Sequence, residues 1–384
     1  MSTFDLFHLP PPVLSALRGM QYSTPTPIQS EAIPAILEGT DLVGIAQTGT
    51  GKTAAFGIPI VTILSKDPAA TALILVPTRE LAAQIHDVLT QLTRNLPAIR
   101  SCVVIGGASM HLQRLALTKR PRIVIATPGR LLDHLEQRTI SFTNLKILVL
   151  DEADRMLDIG FEPQLKRIFR HVPPKRQTLL FSATFPASIE RLAAQHLNHP
   201  KKISVGAISR PVDEVQQSFV NTTALEKNNV LLKELAERKG SVLIFARTKR
   251  RTDRVARLLS DSGFKADRIH GNRTQGQRTA VMDGFRKERF RILVATDIAS
   301  RGLDIPHIAH VINYDLPQVP EDYIHRIGRT ARAGAQGSSL CLLTPDDRDQ
   351  WIALSRHLDP KSAPPLPKGR VRTFRPPRAR ARGF

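Results

Sequence analysis

Ala46-Gln47-Thr48-Gly49-Thr50-Gly51-Lys52-Thr53 stands between a short apolar run and an amphipathic stretch. A glycine-rich turn that leaves a strand and opens a helix aims main-chain N–H groups at phosphate. The lysine at its end reaches the β and γ phosphates, and the hydroxyl beside it helps to hold Mg2+. Thr48, Gly49, Thr50, Gly51, Lys52 and Thr53 are the expected nucleotide contacts, with Ala46 where the strict pattern has glycine. Further along, Lys146-Ile147-Leu148-Val149-Leu150 stops at Asp151-Glu152-Ala153-Asp154, three carboxylates in four positions. Alone, such a cluster reads as a solvated acidic turn. Beside a phosphate-binding turn it gains tasks: Asp151 suits the second-strand carboxylate that holds Mg2+, and Glu152 suits a base that orients and deprotonates water.

These groups need a frame. From Asp41, apolar runs alternate with amphipathic stretches, predicting strands over 42–46, 72–76, 102–105, 123–126, 146–150 and 177–181. Helices are expected over 52–64, 79–92, 109–118 and 128–136, after a helical pattern to Met20 and a helix following Gln29 that ends near Gly39. Short apolar runs without alternation belong to strands buried on both faces, so the rhythm is βαβ and the sheet mostly parallel. Ligands of such sheets bind at the carboxyl ends of strands, where both motifs fall.

The periodicity lapses over 206–214 and then resumes, with strands over 215–221, 241–246, 266–270, 291–295, 309–314 and 338–343 and helices over 225–238, 249–261, 275–286, 321–330 and 346–357. The expected organisation is an α/β domain over 1–205, a linker at 206–214, a second α/β domain over 215–360, and a tail at 361–384. A chain of 384 residues is long enough for two cores. No short repeat links the halves, so any likeness between them is expected in architecture. After Asp359 there are eight Lys or Arg, no acid and many Pro. Such a tail cannot bury enough apolar surface to offset its ordering entropy, and disorder is expected.

Lys+Arg 55 against Asp+Glu 34 gives a formal charge of +21, and the eight tail cations leave +13 on residues 1–360. That excess suits a polyanionic partner. No apolar run reaches the roughly 18 residues that span a bilayer, and Met1-Ser2-Thr3-Phe4-Asp5 lacks the marks of a signal peptide. A soluble, cytoplasmic protein without membrane partners is expected. Cys102 and Cys341 lie in separate apolar runs without metal-site or redox spacing, as buried free thiols would.

Asp151-Glu152-Ala153-Asp154 resembles the signature of DEAD-box RNA helicases, and the other motifs of that family follow in its order over residues 4–334. Tyr22 to Gln29 is similar to the Q motif, which implies that Gln29 reads adenine and that an aromatic residue stacks on it; Phe4 resembles the upstream aromatic, Phe4 and Tyr22 are both expected among the nucleotide contacts, and Gln21 stands where glycine is usual. Pro77-Thr78-Arg79-Glu80-Leu81, Gly106-Gly107 and Thr127-Pro128-Gly129-Arg130 resemble RNA-backbone motifs, implying contacts from Arg79, Gly107, Thr127 and Arg130. Ser182-Ala183-Thr184 resembles the motif that couples hydrolysis to strand separation. In the second domain the resemblance implies RNA contacts from Arg247, Gln275, Arg278 and Thr296, and a ribose contact from Asp304. Tyr323 to Arg332 resembles the arginine-finger motif, with His325 in coupling, Arg329 and Arg332 on the γ-phosphate, and Ala331 where glycine is common. Arg329 and Arg332, three apart, are expected on one side of a helical turn.

The resemblance implies two tandem RecA-like domains, ATP and Mg2+ as cofactors, and RNA-stimulated ATP hydrolysis coupled to local, non-processive separation of short duplexes or remodelling of RNA–protein complexes. RNA contacts to phosphate and sugar imply sequence independence, and aromatic residues, at 5%, are too few to stack many bases. The short basic tail and the Q-motif wording are similar to bacterial RhlE-like members. A monomer working on ribosomal or RNA-decay complexes is expected. The alternatives are a DNA translocase, which shares the phosphate chemistry but not Gln29 or the full acidic signature, and an RNA-binding scaffold without turnover, against which Lys52, Glu152, Arg329 and Arg332 argue.

Overall fold

Val43, Leu73, Leu75, Val124, Leu148, Leu150 and Leu180 pack into one buried cluster, while their strand neighbours Leu42, Ala72, Ile74, Ile123, Ile125, Ile147, Val149, Leu179 and Phe181 pack into another. Successive side chains point to opposite faces of a sheet, so this division puts a helical layer on each side. It also explains why the strands read as unbroken apolar runs. The computed structural model describes residues 3–46, 49–205, 215–297, 308–330, 337–358 and 372–374. The chain divides into two compact units, Met1–Ala207 and Ile208–Phe384. The expected linker, 206–214, lies outside the described residues.

The first unit opens with a 3-10 helix, Thr3–Phe7, then α1 (Pro11–Gly19), α2 (Pro27–Leu37), β1 (Leu42–Ile45), α3 (Lys52–Lys66), β2 (Thr71–Leu75), α4 (Arg79–Leu92), β3 (Ser101–Val104), α5 (Met110–Thr118), β4 (Ile123–Ala126) and α6 (Pro128–Glu136). β5 (Leu145–Leu150), α7 (Ala153–Asp158), α8 (Glu162–Phe169), β6 (Gln177–Ser182), α9 (Ala187–His196) and β7 (Lys201–Ser204) complete it. All its strands run parallel, in the order β3-β4-β2-β5-β6-β1-β7. Local chemistry sets the helix starts: the Thr78 hydroxyl accepts from the Leu81 amide to cap α4, and Pro27 opens α2 where its missing N–H is harmless. Gln29 is therefore in the first turn of α2, not ahead of it as expected from sequence.

The second unit holds β8 (Val215–Asn221), α10 (Lys227–Glu237), β9 (Val242–Phe245), α11 (Lys249–Asp261), β10 (Ala266–Ile269), α12 (Gln275–Arg286) and β11 (Ile292–Ala295). β12 (His310–Asn313), α13 (Pro320–Ile327), β13 (Gly337–Leu343), α14 (Arg348–Leu358) and β14 (Arg372–Phe374) follow. Its order, β10-β11-β9-β12-β13-β8-β14, repeats that of the first sheet strand for strand. The last strand differs in direction: β7 is parallel to β1, whereas β14 is antiparallel to β8, pairing Arg372 with Phe219 and Phe374 with Gln217. These three residues are the described part of the basic tail. An unpaired sheet edge offers N–H and C=O groups to any extended segment, and the rest of 361–384 lies outside the described residues.

Among the described residues no helix is long and apolar enough to cross a membrane. Cys102 and Cys341 are buried free thiols, and burial pushes both up to about 12.

Candidate nucleotide and RNA sites

β6 lies between β1 and β5, with Ile45 level with Ser182 and Leu150 level with Leu180. This order brings the turn after β1, the carboxylates after β5 and Ser182-Ala183-Thr184 to one edge of the sheet. Gly49 and Gly51 have φ of 90° and 91°, the left-handed region that favours glycine. A Cβ on Gly51 would also collide with the Gln29 amide, which donates from Nε2 to the Gly51 carbonyl at 3.1 Å. Gln29 Oε1 in turn accepts from the Thr26 N–H at 3.0 Å, so the residue expected to read adenine clamps the turn to α2. Lys52 opens α3 and is buried, its Nζ donating to the Ala46 carbonyl at 2.9 Å. Thr53 follows it, half-buried; Gln47 and Thr48 lie outside the described residues.

Asp151 is 2% exposed. Burial raises its carboxyl to about 6, the Lys52 cation opposes that rise, and Glu152 adds to it. Glu152 is held at φ 51°, a strained conformation for a residue with a side chain, and its Oε2 accepts from Arg155 Nη1 at 2.7 Å. Asp154 faces the turn after β6: Oδ2 accepts from the Ala183 N–H at 3.1 Å and from the Thr184 N–H and hydroxyl at 2.9 Å each. The Asp154 N–H donates to the Ser182 hydroxyl at 3.3 Å.

These residues fit a nucleotide with its cation. Glycines leave room for phosphate at a helix start, a buried ammonium waits beside them, and Asp151 sits where a cation would relieve its desolvation. Among the described residues no three His, Cys, Asp or Glu side chains gather to hold a metal alone. That suits Mg2+, which takes one or two carboxylates and fills its shell with phosphate oxygens and water. Tyr22 is half-buried against the same core, and burial raises its phenol. Phe4 is fully buried, edge-to-face with Phe7 at 6.0 Å, and presents no exposed face to a base.

Arg79, Gly107, Thr127 and Arg130 follow β2, β3 and β4, three neighbours at the other end of the same sheet edge. Gly107 has φ 77°, and a Cβ there would collide with the Arg79 guanidinium. Thr127 follows β4, with its N–H on the Val104 carbonyl at 3.0 Å. Arg130 Nη1 donates to the Ala108 carbonyl at 2.9 Å, which fixes the loop bearing Gly107 to α6.

In the second unit, Arg247 follows β9, Gln275 opens α12 with Arg278 one turn on, and Thr296 follows β11. Adjacency of β10, β11 and β9 groups these four positions. Arg278 and Thr296 are buried, and the Thr248 hydroxyl caps α11. Half-buried His325 lies in α13. Arg326 grips Asp297 with Nε and Nη2 at 2.6 and 2.7 Å. α13 stops at Ile327 with Gly328 as its cap. Arg329 is therefore buried just beyond the helix, which ends short of the 321–330 expected for it; Arg332 and Asp304 lie outside the described residues.

Sequence reasoning missed Arg155, although its place three residues after Glu152 is ion-pair spacing on a helix. It gave no separate role to Asp154 or Arg326. Lys227 and Asp315, both buried, were also missed: they stand 88 positions apart, and only the fold joins them.

A family model described as DEAD/DEAH box helicase matches residues 26–192, and one described as helicase conserved C-terminal domain matches residues 226–334. The chain is 44% identical over 370 residues to the ATP-dependent rRNA helicase RRP3 of Candida albicans, covering 95% of this chain and 68% of that one. It is 42% identical over 358 residues to the DEAD-box ATP-dependent RNA helicase CshA of Geobacillus kaustophilus, covering 93% and 76%. Among solved structures, S. cerevisiae Dbp5 bound to RNA and ADP BeF3 superposes with a TM-score of 0.82 at 30% identity, over 94% of this chain and 93% of that one. Mss116p bound to ssRNA and AMP-PNP gives 0.83 at 31%, over 94% and 77%.

Proposed function

The chain belongs to the DEAD-box ATP-dependent RNA helicases, and we propose that its ATP-binding site lies at the carboxyl ends of β1, β6 and β5. As a member it is an RNA-dependent ATPase that unwinds RNA. The observation that carries the site assignment is the adjacency that sets Lys52 beside Asp151 and ties Asp154 to Thr184.

Lys52 releases the Ala46 carbonyl to neutralise the β and γ phosphates, while the N–H groups of residues 49 to 53 cradle them. Thr53 and Asp151 would hold Mg2+, which would supply charge neutralisation at the phosphate oxygens. Glu152 takes the proton of the attacking water. Gln29 and Tyr22 select the base, with Phe4 as support behind them, and Asp304 contacts the ribose. Arg329 and Arg332 balance charge on the transferred phosphoryl group, a contribution of roughly 10³ to 10⁵ in rate. Asp154 passes the state of the phosphate site to Ser182 and Thr184, and His325 joins that coupling.

Arg79, Gly107, Thr127 and Arg130 in one unit, and Arg247, Gln275, Arg278 and Thr296 in the other, grip RNA phosphate and sugar without reading sequence. Separation is local and non-processive, as expected of a grip that distorts a few base pairs per cycle. We further assign the chain to the RhlE-like bacterial members on its Q-motif wording and short basic tail, as a cytoplasmic monomer serving ribosomal or RNA-decay complexes.

ATPase assays with RNA, with DNA and without nucleic acid, paired with nucleotide affinity measured with and without RNA, test this reading. RNA alone should stimulate turnover and tighten nucleotide binding, and ATP must tighten RNA binding by the same factor. Equal stimulation by DNA favours the translocase, and RNA binding without turnover favours the scaffold.

A further inference from the structure

Because the two sheets share one strand order, β8 takes the place of β1, β12 that of β5 and β13 that of β6. In the first unit a lysine, Lys52, opens the helix after β1, and Asp151 stands at the end of β5. In the second, Lys227 opens α10 after β8, and Asp315 stands just beyond β12. The two lysines are equally buried, each 6% exposed. Around Lys227, however, the connection is Thr222-Thr223-Ala224-Leu225-Glu226, without a glycine cradle. Protein groups answer the lysine instead: Nζ lies 3.4 Å from Asp315 Oδ1, 3.9 Å from Asp347 Oδ2 and 4.9 Å from the centre of the Tyr314 ring.

What this pair holds is specific. Asp315 Oδ2 accepts from the Arg247 main-chain N–H at 2.9 Å, and Oδ1 accepts from Arg251 Nη1 at 2.7 Å. The main-chain carbonyl of Asp315 accepts from Arg326 Nη1 at 2.6 Å, and the same nitrogen donates to Asn313 Oδ1 at 2.9 Å. Asp347 closes the far side, accepting from Arg247 Nη2 at 3.4 Å and from the Thr344 hydroxyl at 2.7 Å. One junction thus joins the loops after β9, β11, β12 and β13 to α13, and the Arg329 N–H donates to the Arg326 carbonyl at 3.1 Å. A buried ionic network of this kind is weak evidence for stability, and its satisfied members fix one geometry.

We propose that Lys227 and Asp315 are positioning residues for RNA-stimulated turnover, tying the Arg247–Thr248 loop to α13 so that the grip on RNA and the placement of Arg329 change together. The proposal rests on reading Arg247 as RNA-facing and Arg329 as phosphate-facing.

The test is the full-length double variant Lys227→Met/Asp315→Leu, which removes both charges while keeping the length of the lysine and the branching of the aspartate. The expected result is a melting temperature within a few degrees of wild type, a fall of at least about ten-fold in kcat at saturating RNA and ATP, and a higher RNA concentration at half-saturation. A purely structural pair would return turnover together with stability, so retained kcat with retained melting overturns the proposal. If the double variant does not fold, Arg251→Gln serves, since its side chain is 47% exposed and its ion pair is with Asp315. A rise of about three-fold or more in half-saturating RNA supports the junction, and an unchanged value overturns it. A wild type without RNA stimulation overturns the functional reading and this proposal with it. A stimulated wild type matched by an equally stimulated variant overturns this proposal alone.

Discussion

Arg155 donates to Glu152 at 2.7 Å with each side chain only 7% exposed, so the carboxylate expected to activate water is already held by a charge from its own helix. The two stand three residues apart at the start of α7, where the left-handed backbone of Glu152 turns the chain from strand to helix. A base engaged in this way keeps its orientation between turnovers.

Glu152→Gln should lower RNA-stimulated ATP turnover by at least about 10², the lower range for losing a general base, and should leave RNA binding in the presence of ATP intact. Steady-state ATPase kinetics and RNA affinity check this together, and turnover near the wild-type rate would remove Glu152 from the base role.

Arg155→Met should cost about 3 to 5 kcal/mol of stability in the first unit by leaving the Glu152 carboxylate buried without its cation. The double variant Arg155→Met/Glu152→Gln should recover much of that loss. Denaturant melts of the single and double variants decide it, and equal losses in both would mean that Arg155 acts through packing.

Asp151 gives a pH dependence. Its folded carboxyl is raised to about 6 from 3.8, chiefly by burial. A raised folded value means its contribution to stability is fully present below 3.8 and is lost as pH rises through about 6. Measured without nucleotide and with divalent cations chelated, Asp151→Asn should gain on wild type between pH 4 and pH 7, by up to roughly 3 kcal/mol. A constant difference across that window would contradict the burial cost assigned to this group.

Gly107→Ala tests the surface proposed to grip RNA without touching the proposed phosphate site. The backbone at φ 77° and the Arg79 guanidinium both oppose a side chain there. The expected cost is about 1 to 2 kcal/mol in stability and roughly ten-fold in RNA affinity, with nucleotide affinity unchanged. Equilibrium binding of labelled RNA and of a fluorescent nucleotide reads the two separately.

Truncation after residue 360 removes eight cations. RNA affinity should fall, and its logarithmic salt dependence should flatten by about 0.7 for each single-strand phosphate that the tail no longer neutralises. An unchanged slope would reduce the tail to a role in solubility, or to covering the edge of β8.

Much of the frame was legible because local chemistry writes it. α4 and α11 begin after Thr78 and Thr248, whose side chains cap them, and the apolar run of β5 ends where its carboxylates begin. β7 was missed because Lys201-Lys202-Ile203-Ser204 buries only Ile203, as an edge strand can. α7, α8 and α9 have 6, 8 and 10 residues, too short for their periodicity to stand out beside Pro163 and the acidic cluster. Among candidate site residues, the turn at Gly49–Thr53 and the pair Asp151 and Glu152 follow from motif chemistry. The hold of Gln29 on Gly51 and the Asp315 junction join residues far apart in the chain, and no local pattern announces either.

The two thiols have a practical consequence. Thiolate is the form that reacts with alkylating dyes, and Cys102 and Cys341 are both inside the fold and raised to about 12. The folded protein should therefore be nearly blank to maleimide chemistry at neutral pH. Cysteines introduced on the outer helices, one per unit, would carry a fluorophore pair against that background without replacing either native sulfur, and the dyes could follow the catalytic cycle one molecule at a time.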